Sequence, residues 1–252
     1  EMKKQVKNFL SMALMTLVLF SCGGGSGKQG SGGKSLFTPV SSGHPYEMLV
    51  VIDKDMWERP AGRALFNALD MDVPGLPQPE RSFRISQIIP DKFERGFRIF
   101  RNIIDVDIQP IYTQPKLKYS RDSYASPQMI MTIQAPDEAS FEEFVNQNKQ
   151  VIVDFFTKAE MNRQINLLKE KYSDVVATKV GSMFGCDVRV PVGFERYKQG
   201  KDFFWTSQDR PGSEVSLNFV VYSYPYTDKN TFTRDYFIHK RDSVMKLNIP
   251  GS

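Results

Sequence analysis

Apolar residues in this chain fall into short runs, each with its own phase. PYEMLVVID (Pro45–Asp53) is aliphatic and β-rich and predicts a central strand. Pro60 can open the helix behind it, because a first turn has no use for the missing N–H, and Ala61, Ala64, Leu65, Ala68 and Leu69 follow at helical spacing. Val73–Glu80 holds three prolines and a glycine in eight residues, which predicts a loop. SFRISQII and NIIDVDI alternate with period two and predict strands, with a short helix near DKFERGF between them. A further strand, QMIMTIQA, ends at Pro136, and Asp137 stands as the N-cap of a helix carrying Phe141, Phe144 and Val145. From about Gln150 to Tyr172 a second helix is predicted, with Ile152, Phe155, Phe156, Ala159, Ile165 and Leu168 on its buried stripe.

Beyond it the pattern starts over. CDVRVP, KDFFWTS and SLNFVVYSYP predict strands, and Thr231–Leu247 a helix capped by Asp228 or Asn230. The expected fold class is therefore α+β: a mainly antiparallel or mixed sheet with helices on one face, in two related units over residues 45–175 and 176–252. A last strand without a following partner would leave an open edge, so the second unit reads as incomplete.

The amino terminus has a different logic. Its apolar run, Phe9–Phe20, is twelve residues long, whereas crossing a hydrocarbon core takes roughly 20. Lys3, Lys4 and Lys7 precede it and small residues follow, the order of a secretory signal, here residues 1–21. LFSC (Leu19–Cys22) resembles the lipobox of bacterial lipoproteins, in which the cysteine thiol takes a diacylglycerol as a stable thioether. Cys22 is thus the expected lipidation site, and the membrane an expected partner. Each buried methylene adds about 0.8 kcal/mol, so two or three acyl chains hold firmly where one holds marginally. Seven of the 17 glycines lie between Gly23 and Gly33. Residues 22–44 read as a flexible tether, and a coil of that composition over Gly23 to His44 has a reach of about 25 Å.

Several longer segments carry a resemblance. SSGHPYEMLVVID, VPGLPQPE, FRNIIDVDI, QMIMTIQAPDEASFEEF and VVYSYPYTDKNTFTRDYFIHKRDS are similar to a family of Bacteroidetes lipoproteins catalogued as a domain of unknown function. The likeness runs from Ser42 to the carboxyl terminus. It implies a lipobox and a chain continuing past an NIPG-like segment, and it brings no catalytic residue with it.

Charge narrows the partners. The chain has 33 basic and 29 acidic side chains; without residues 1–21, which hold three lysines and one glutamate, 30 and 28 remain. Nucleic acid, which needs a concentrated basic face, is excluded on that ground. Once Cys22 is acylated, Cys186 has no intramolecular partner and is expected to be buried and inert. No cofactor and no metal site is expected, since His44 and His239 are far apart and no two ligands stand at zinc spacing.

The candidate chemistry is carried by carboxylates and tyrosines. On a strand Asp105 and Asp107 share one face, where they could hold a cation, share a proton, or simply face solvent. Asp53 and Asp55 end the central strand, where sites gather in α/β sheets; Asp55 and Glu58 also have capping-box spacing. These four are the candidate acids of an envelope glycan- or peptide-processing enzyme. Tyr112, Lys116, Lys118, Tyr119, Arg121 and Tyr124 interleave aromatics with cations, as suits stacking on sugars or a charged sheet edge. Tyr222, Tyr224 and Tyr226 surround Pro225 at a strand-to-helix turn, as a binding surface or a turn lock. The leading expectation is a lipid-anchored envelope protein, facing the periplasm from the outer membrane, that binds or scaffolds a protein or glycan without catalysis.

Overall fold

The structure is a computed structural model that describes residues 38–76, 78–209 and 216–249. The chain divides into compact units at Glu1–Thr38 and Pro39–Ser252, and the second is described here. The signal sequence, Cys22 and the tether up to residue 37 lie outside the described residues. Residues 39–42, at the far end of the expected tether, are fastened to the body: Ser126 N–H donates to the Pro39 carbonyl at 2.9 Å and Ser42 N–H to the Ile99 carbonyl at 2.8 Å.

Strands β1 (Glu47–Val51), β2 (Arg84–Ile88), β3 (Asn102–Ile108), β4 (Lys116–Arg121) and β5 (Met129–Ala135) form one sheet in the order β2-β1-β3-β5-β4. Every neighbouring pair is parallel except β4 with β5, so the sheet is mixed and the fold is α+β. Helices α1 (Lys54–Glu58) and α2 (Pro60–Leu69) follow β1, α3 (Arg95–Arg98) follows β2, and α4 (Glu138–Glu170) follows β5.

Local chemistry explains these elements. Asp53 caps α1, its Oδ1 accepting from the N–H groups of Asp55 at 2.9 Å and Met56 at 3.1 Å. The cap thus lies two residues before the capping box that the Asp55 and Glu58 spacing suggested. Pro60 opens α2, which buries Ala61, Ala64, Leu65, Ala68 and Leu69, the predicted stripe. Gly62 lets the two helices meet, since a Cβ there would lie 2.4 Å from the Met56 carbonyl oxygen. Within α4 the two helices expected over 138–172 meet at a kink: Asn148 has non-helical backbone (φ −113°, ψ 16°), and its side-chain amide donates to the Phe144 carbonyl at 2.8 Å.

Helices α2 and α4 cover one face of this sheet. Met48, Val50, Leu65, Leu69, Ile104, Met131, Phe141, Ile152 and Phe156 close the core between them. Leu49, Val51, Ile88, Ile103 and Ile130 form a smaller cluster on the other face, under Phe93 and Phe100. The α4 stripe departs from the sequence expectation beyond Phe156: Ile165 is exposed, and the fully buried residue is Glu160. Its Oε1 accepts from Asn102 Nδ2 and Arg163 NH1, and its Oε2 from Arg101 NH2, each at 2.7 Å. Two guanidinium groups compensate the buried charge, which helical periodicity cannot foresee.

Helix α5 (Asp174–Phe184) leads to an antiparallel sheet of β6 (Arg196–Gln199), β7 (Phe203–Asp209) and β8 (Ser216–Tyr222), followed by a 3-10 turn (Lys229–Phe232) and α6 (Arg234–Asn248). Val176, Val180, Val190, Phe194 and Phe204 form its core. The order strand then helix recurs, whereas the pairing does not: the first sheet is largely parallel and the second antiparallel. CDVRVP, expected as a strand, forms none, and Cys186 is exposed and not buried as expected. Valine-rich Asp174–Phe184 is helical because Ser173 accepts from Val176 N–H, Gly185 ends the helix at φ +68°, and Val176 and Val180 share one face. Asp228 caps the 3-10 turn, and α6 starts only after Thr233. No helix among the described residues is long and apolar enough to cross a membrane.

Candidate functional site

Two surfaces gather the side chains that sequence reasoning singled out. The first is the sheet face opposite α2 and α4. Strand register places Lys118, Thr132, Asp105 and Val51 in one cross-strand row, and Lys116, Gln134 and Asp107 in the next. Side chains alternate along a strand, so with Ile104, Val106, Ile133 and Leu117 in the helix-facing core these polar residues share the open face. Neighbouring strands stand about 4.8 Å apart, and Asp105 and Asp107 about 6.6 Å apart along theirs.

Asp107 is held by three donors. Gln134 Nε2 donates to its Oδ2 at 2.6 Å and Gln109 Nε2 to its Oδ1 at 2.7 Å, and the Tyr112 hydroxyl donates to Oδ2. Pro110 makes this possible: it starts a turn closed by Tyr112 N–H on the Gln109 carbonyl at 3.0 Å, which folds Tyr112 back over β3. Burial opposes ionisation of Asp107, but the bonds from Tyr112, Gln134 and Gln109 outweigh it and hold its pKa below the usual value. Asp105 is pushed the other way, by burial first and by the Asp107 charge second. The Tyr112 pKa is raised, chiefly by its bond to Asp107. The pKa values of two carboxylates on one face are thus pushed in opposite directions.

The other candidates have local duties. Asp53 is the α1 cap, and Asp55 is exposed in its first turn. The interleaved segment is split between faces: Lys116 and Lys118 join the acid pair, while Tyr119 packs on Phe155 of α4 at 4.7 Å between ring centroids. Arg121 lies 3.9 Å from Asp122. Tyr124 meets Phe93 edge-on, with the Arg98 guanidinium 5.4 Å from its centroid. Gln109 and Gln134 escaped sequence reasoning. The signal for Gln134 was its place two residues after Thr132, which aligns with the spacing of Asp105 and Asp107 once register is known. An open groove of about 570 Å³ runs along β2, lined by Tyr46, Phe66, Phe83, Arg81 and Arg84 among others, and includes none of the candidate acids. Among the described residues no three His, Cys, Asp or Glu side chains converge as for a metal ion.

The second surface is aromatic. Tyr222 stacks on Tyr224 at 6.1 Å, Tyr224 meets Tyr236 of α6 at 5.9 Å, and Lys240 Nζ lies 4.9 Å above the Tyr224 ring. Beside it Tyr226 meets Phe232 at 5.3 Å, and Phe232 meets Phe237 at 6.2 Å. Helix α6 buries no residue, and Tyr226 and Phe232 are 62% and 68% exposed. Burial slightly favours the protonated phenol of Tyr224, with the nearby tyrosines adding to it, so its pKa is raised.

Residues 41–169 match the family described as Domain of unknown function (DUF8532). The chain belongs to that family. Residues 173–252 match a second description, Domain of unknown function (DUF4837). The acid pair falls in the DUF8532 part and the aromatic surface in the DUF4837 part, and the matches meet where α4 ends and α5 begins. No curated protein and no solved structure matches the chain.

Proposed function

We propose that this chain is a lipid-anchored envelope protein of the Bacteroidetes lipoprotein kind, facing the periplasm, which binds envelope glycan without catalysis. The observation that carries the reading is the exposed ledge of Tyr226, Phe232 and Phe237 beside the Tyr222, Tyr224 and Tyr236 stack. Aromatic rings left in water at this density offer flat apolar faces to the C–H faces of sugar rings, and Lys240 adds a cation for acidic or hydroxylated units. The LFSC segment supports anchoring through Cys22, and the glycines after it support a tether. Catalysis by Asp53, Asp55, Asp105 or Asp107 has less support, because the groove along β2 contains none of them.

Co-sedimentation of the full-length protein with isolated peptidoglycan and envelope polysaccharide tests this. Wild type is expected to bind, and Tyr226→Ala with Phe232→Ala to bind at least tenfold more weakly while keeping its far-ultraviolet circular dichroism. Equal binding by the double variant would remove glycan recognition from this surface. Mass spectrometry of the native protein tests the anchor, with an unmodified Cys22 as the contrary result.

A further inference from the structure

We infer that the open face of the first sheet holds a hard divalent cation, Ca²⁺ or Mg²⁺, between the carboxylates of Asp105 and Asp107 and the side-chain carbonyl of Gln134. This inference is independent of the glycan reading.

Gln134 provides the decisive observation. The residue is only 4% exposed, and its amide is fixed, because Nε2 donates both to Asp107 Oδ2 and to the Tyr112 hydroxyl, each at 2.6 Å. Its Oε1 is buried and accepts no hydrogen bond. An amide could flip to exchange its two ends, but the flip would bring a carbonyl against the Asp107 carboxylate, so the orphaned end is the acceptor. Leaving such an acceptor buried without a partner is costly, and leucine would fill the same space without that cost.

Asp105 offers a second acceptor, half-exposed on the same face. Among the described residues none donates a hydrogen bond to its half-buried carboxylate, and Asp107 stands two residues along on the same face. Lys116 and Lys118 share that face but bond to neither carboxylate, and Lys118 only biases Asp107 from a distance. Strand register therefore groups the two carboxylates and the Gln134 carbonyl on one face, with Lys116 and Lys118 along its β4 edge. The three acceptors are carboxylate or carbonyl oxygen, with neither nitrogen nor sulfur among them, so the fitting ion is hard. Tyr112 and Gln109 would act around it as the groups that orient a ligating carboxylate, here Asp107. Three protein oxygens leave several positions to water, which points to the affinity of extracellular calcium modules, a Kd on the order of 10⁻⁴–10⁻³ M.

Calorimetric titration of the full-length protein with CaCl₂ and with MgCl₂ tests the site, together with terbium luminescence excited through Tyr112. Wild type is expected to give a saturable isotherm and sensitised terbium emission that Ca²⁺ displaces. Asp105→Asn and Gln134→Leu should each weaken binding at least tenfold, while Asp53→Asn with Asp55→Asn leaves it unchanged. Circular dichroism of each variant identifies any that fails to fold, and Asp105→Asn, which removes a charge that burial disfavours, is the variant expected to remain folded. No saturable binding by wild type up to about ten times that Kd, or Asp105→Asn binding like wild type, would overturn the inference.

Discussion

Removing the Glu160 carboxylate should destabilise the protein more than any other single truncation of a polar side chain. Glu160 is fully buried between Arg101 and Arg163, whose side chains keep only 14% and 10% of their exposure. Burial already lowers the Arg163 pKa, with Glu160 opposing that effect. In Glu160→Ala both guanidinium groups and the Asn102 amide lose an acceptor at 2.7 Å while their positive charge stays in place. Breaking a buried pair in this way costs about 3–5 kcal/mol, a large share of the roughly 5–15 kcal/mol that holds a domain folded. At about 2–4 °C per kcal/mol for a body of this size, the midpoint of thermal unfolding should fall by roughly 6–20 °C. Glu160→Gln should lose nearly as much, because its NH₂ would face a guanidinium. Replacing the whole group, Glu160→Met with Arg101→Met and Arg163→Leu, should recover most of the loss, since no charge is then buried. Circular dichroism during heating and urea titration measures each variant. A midpoint for Glu160→Ala within about 2 °C of wild type, or a triple variant less stable than the single one, would refute the reasoning.

Three further outcomes follow from the same geometry. Asp53→Ala removes the α1 cap and should cost about 1 kcal/mol in urea unfolding, with no loss expected for Asp55→Ala. In buffer free of divalent cations Asp105→Asn should raise the unfolding midpoint, whereas Asp107→Ala should lower stability by about 1–3 kcal/mol by stranding the donors of Gln109, Tyr112 and buried Gln134; equal effects of the two would contradict their opposite environments. Asp137, whose pKa is held below the usual carboxylate value first by the Ser140 backbone N–H, contributes stability that is complete above the unfolded value and is lost as pH falls through the folded one. Asp137→Asn keeps the cap but cannot titrate, so the stability difference from wild type should shrink between pH 5 and pH 2.5, and a constant difference would count against the assignment.

Much of the fold is readable along the chain because its cause is local. Period-two alternation marked β2 and β3, the apolar run before Pro136 marked β5, helical spacing behind Pro60 marked α2, and Asp137 marked the start of α4. Asp105 and Asp107 were placed on one face by alternation alone. Local patterns fail where the deciding partner is remote in sequence. Nothing near Glu160 announces that Arg101 will neutralise it from 59 positions away. Likewise β-branched Val175 and Val176 suggested no helix until Ser173 and Gly185 fixed its ends and Phe204 covered one side. Cys186, expected inside, is outside: it directly follows Gly185, which ends α5, whereas Val190 of the same segment enters the core.

The sequence by itself marked β1, β2, β3, β5, α2 and the start of α4, and put the two acids on one face, since propensity, capping and alternation act over a few residues. Only the tertiary structure decided that β5 lies beside β3, which brings Gln134 to Asp107 across 27 residues and leaves its carbonyl without a partner. Sheet register is set by the packing of whole faces against α2 and α4. The meaning of the acid pair is accordingly a property of the assembled sheet and not of either strand.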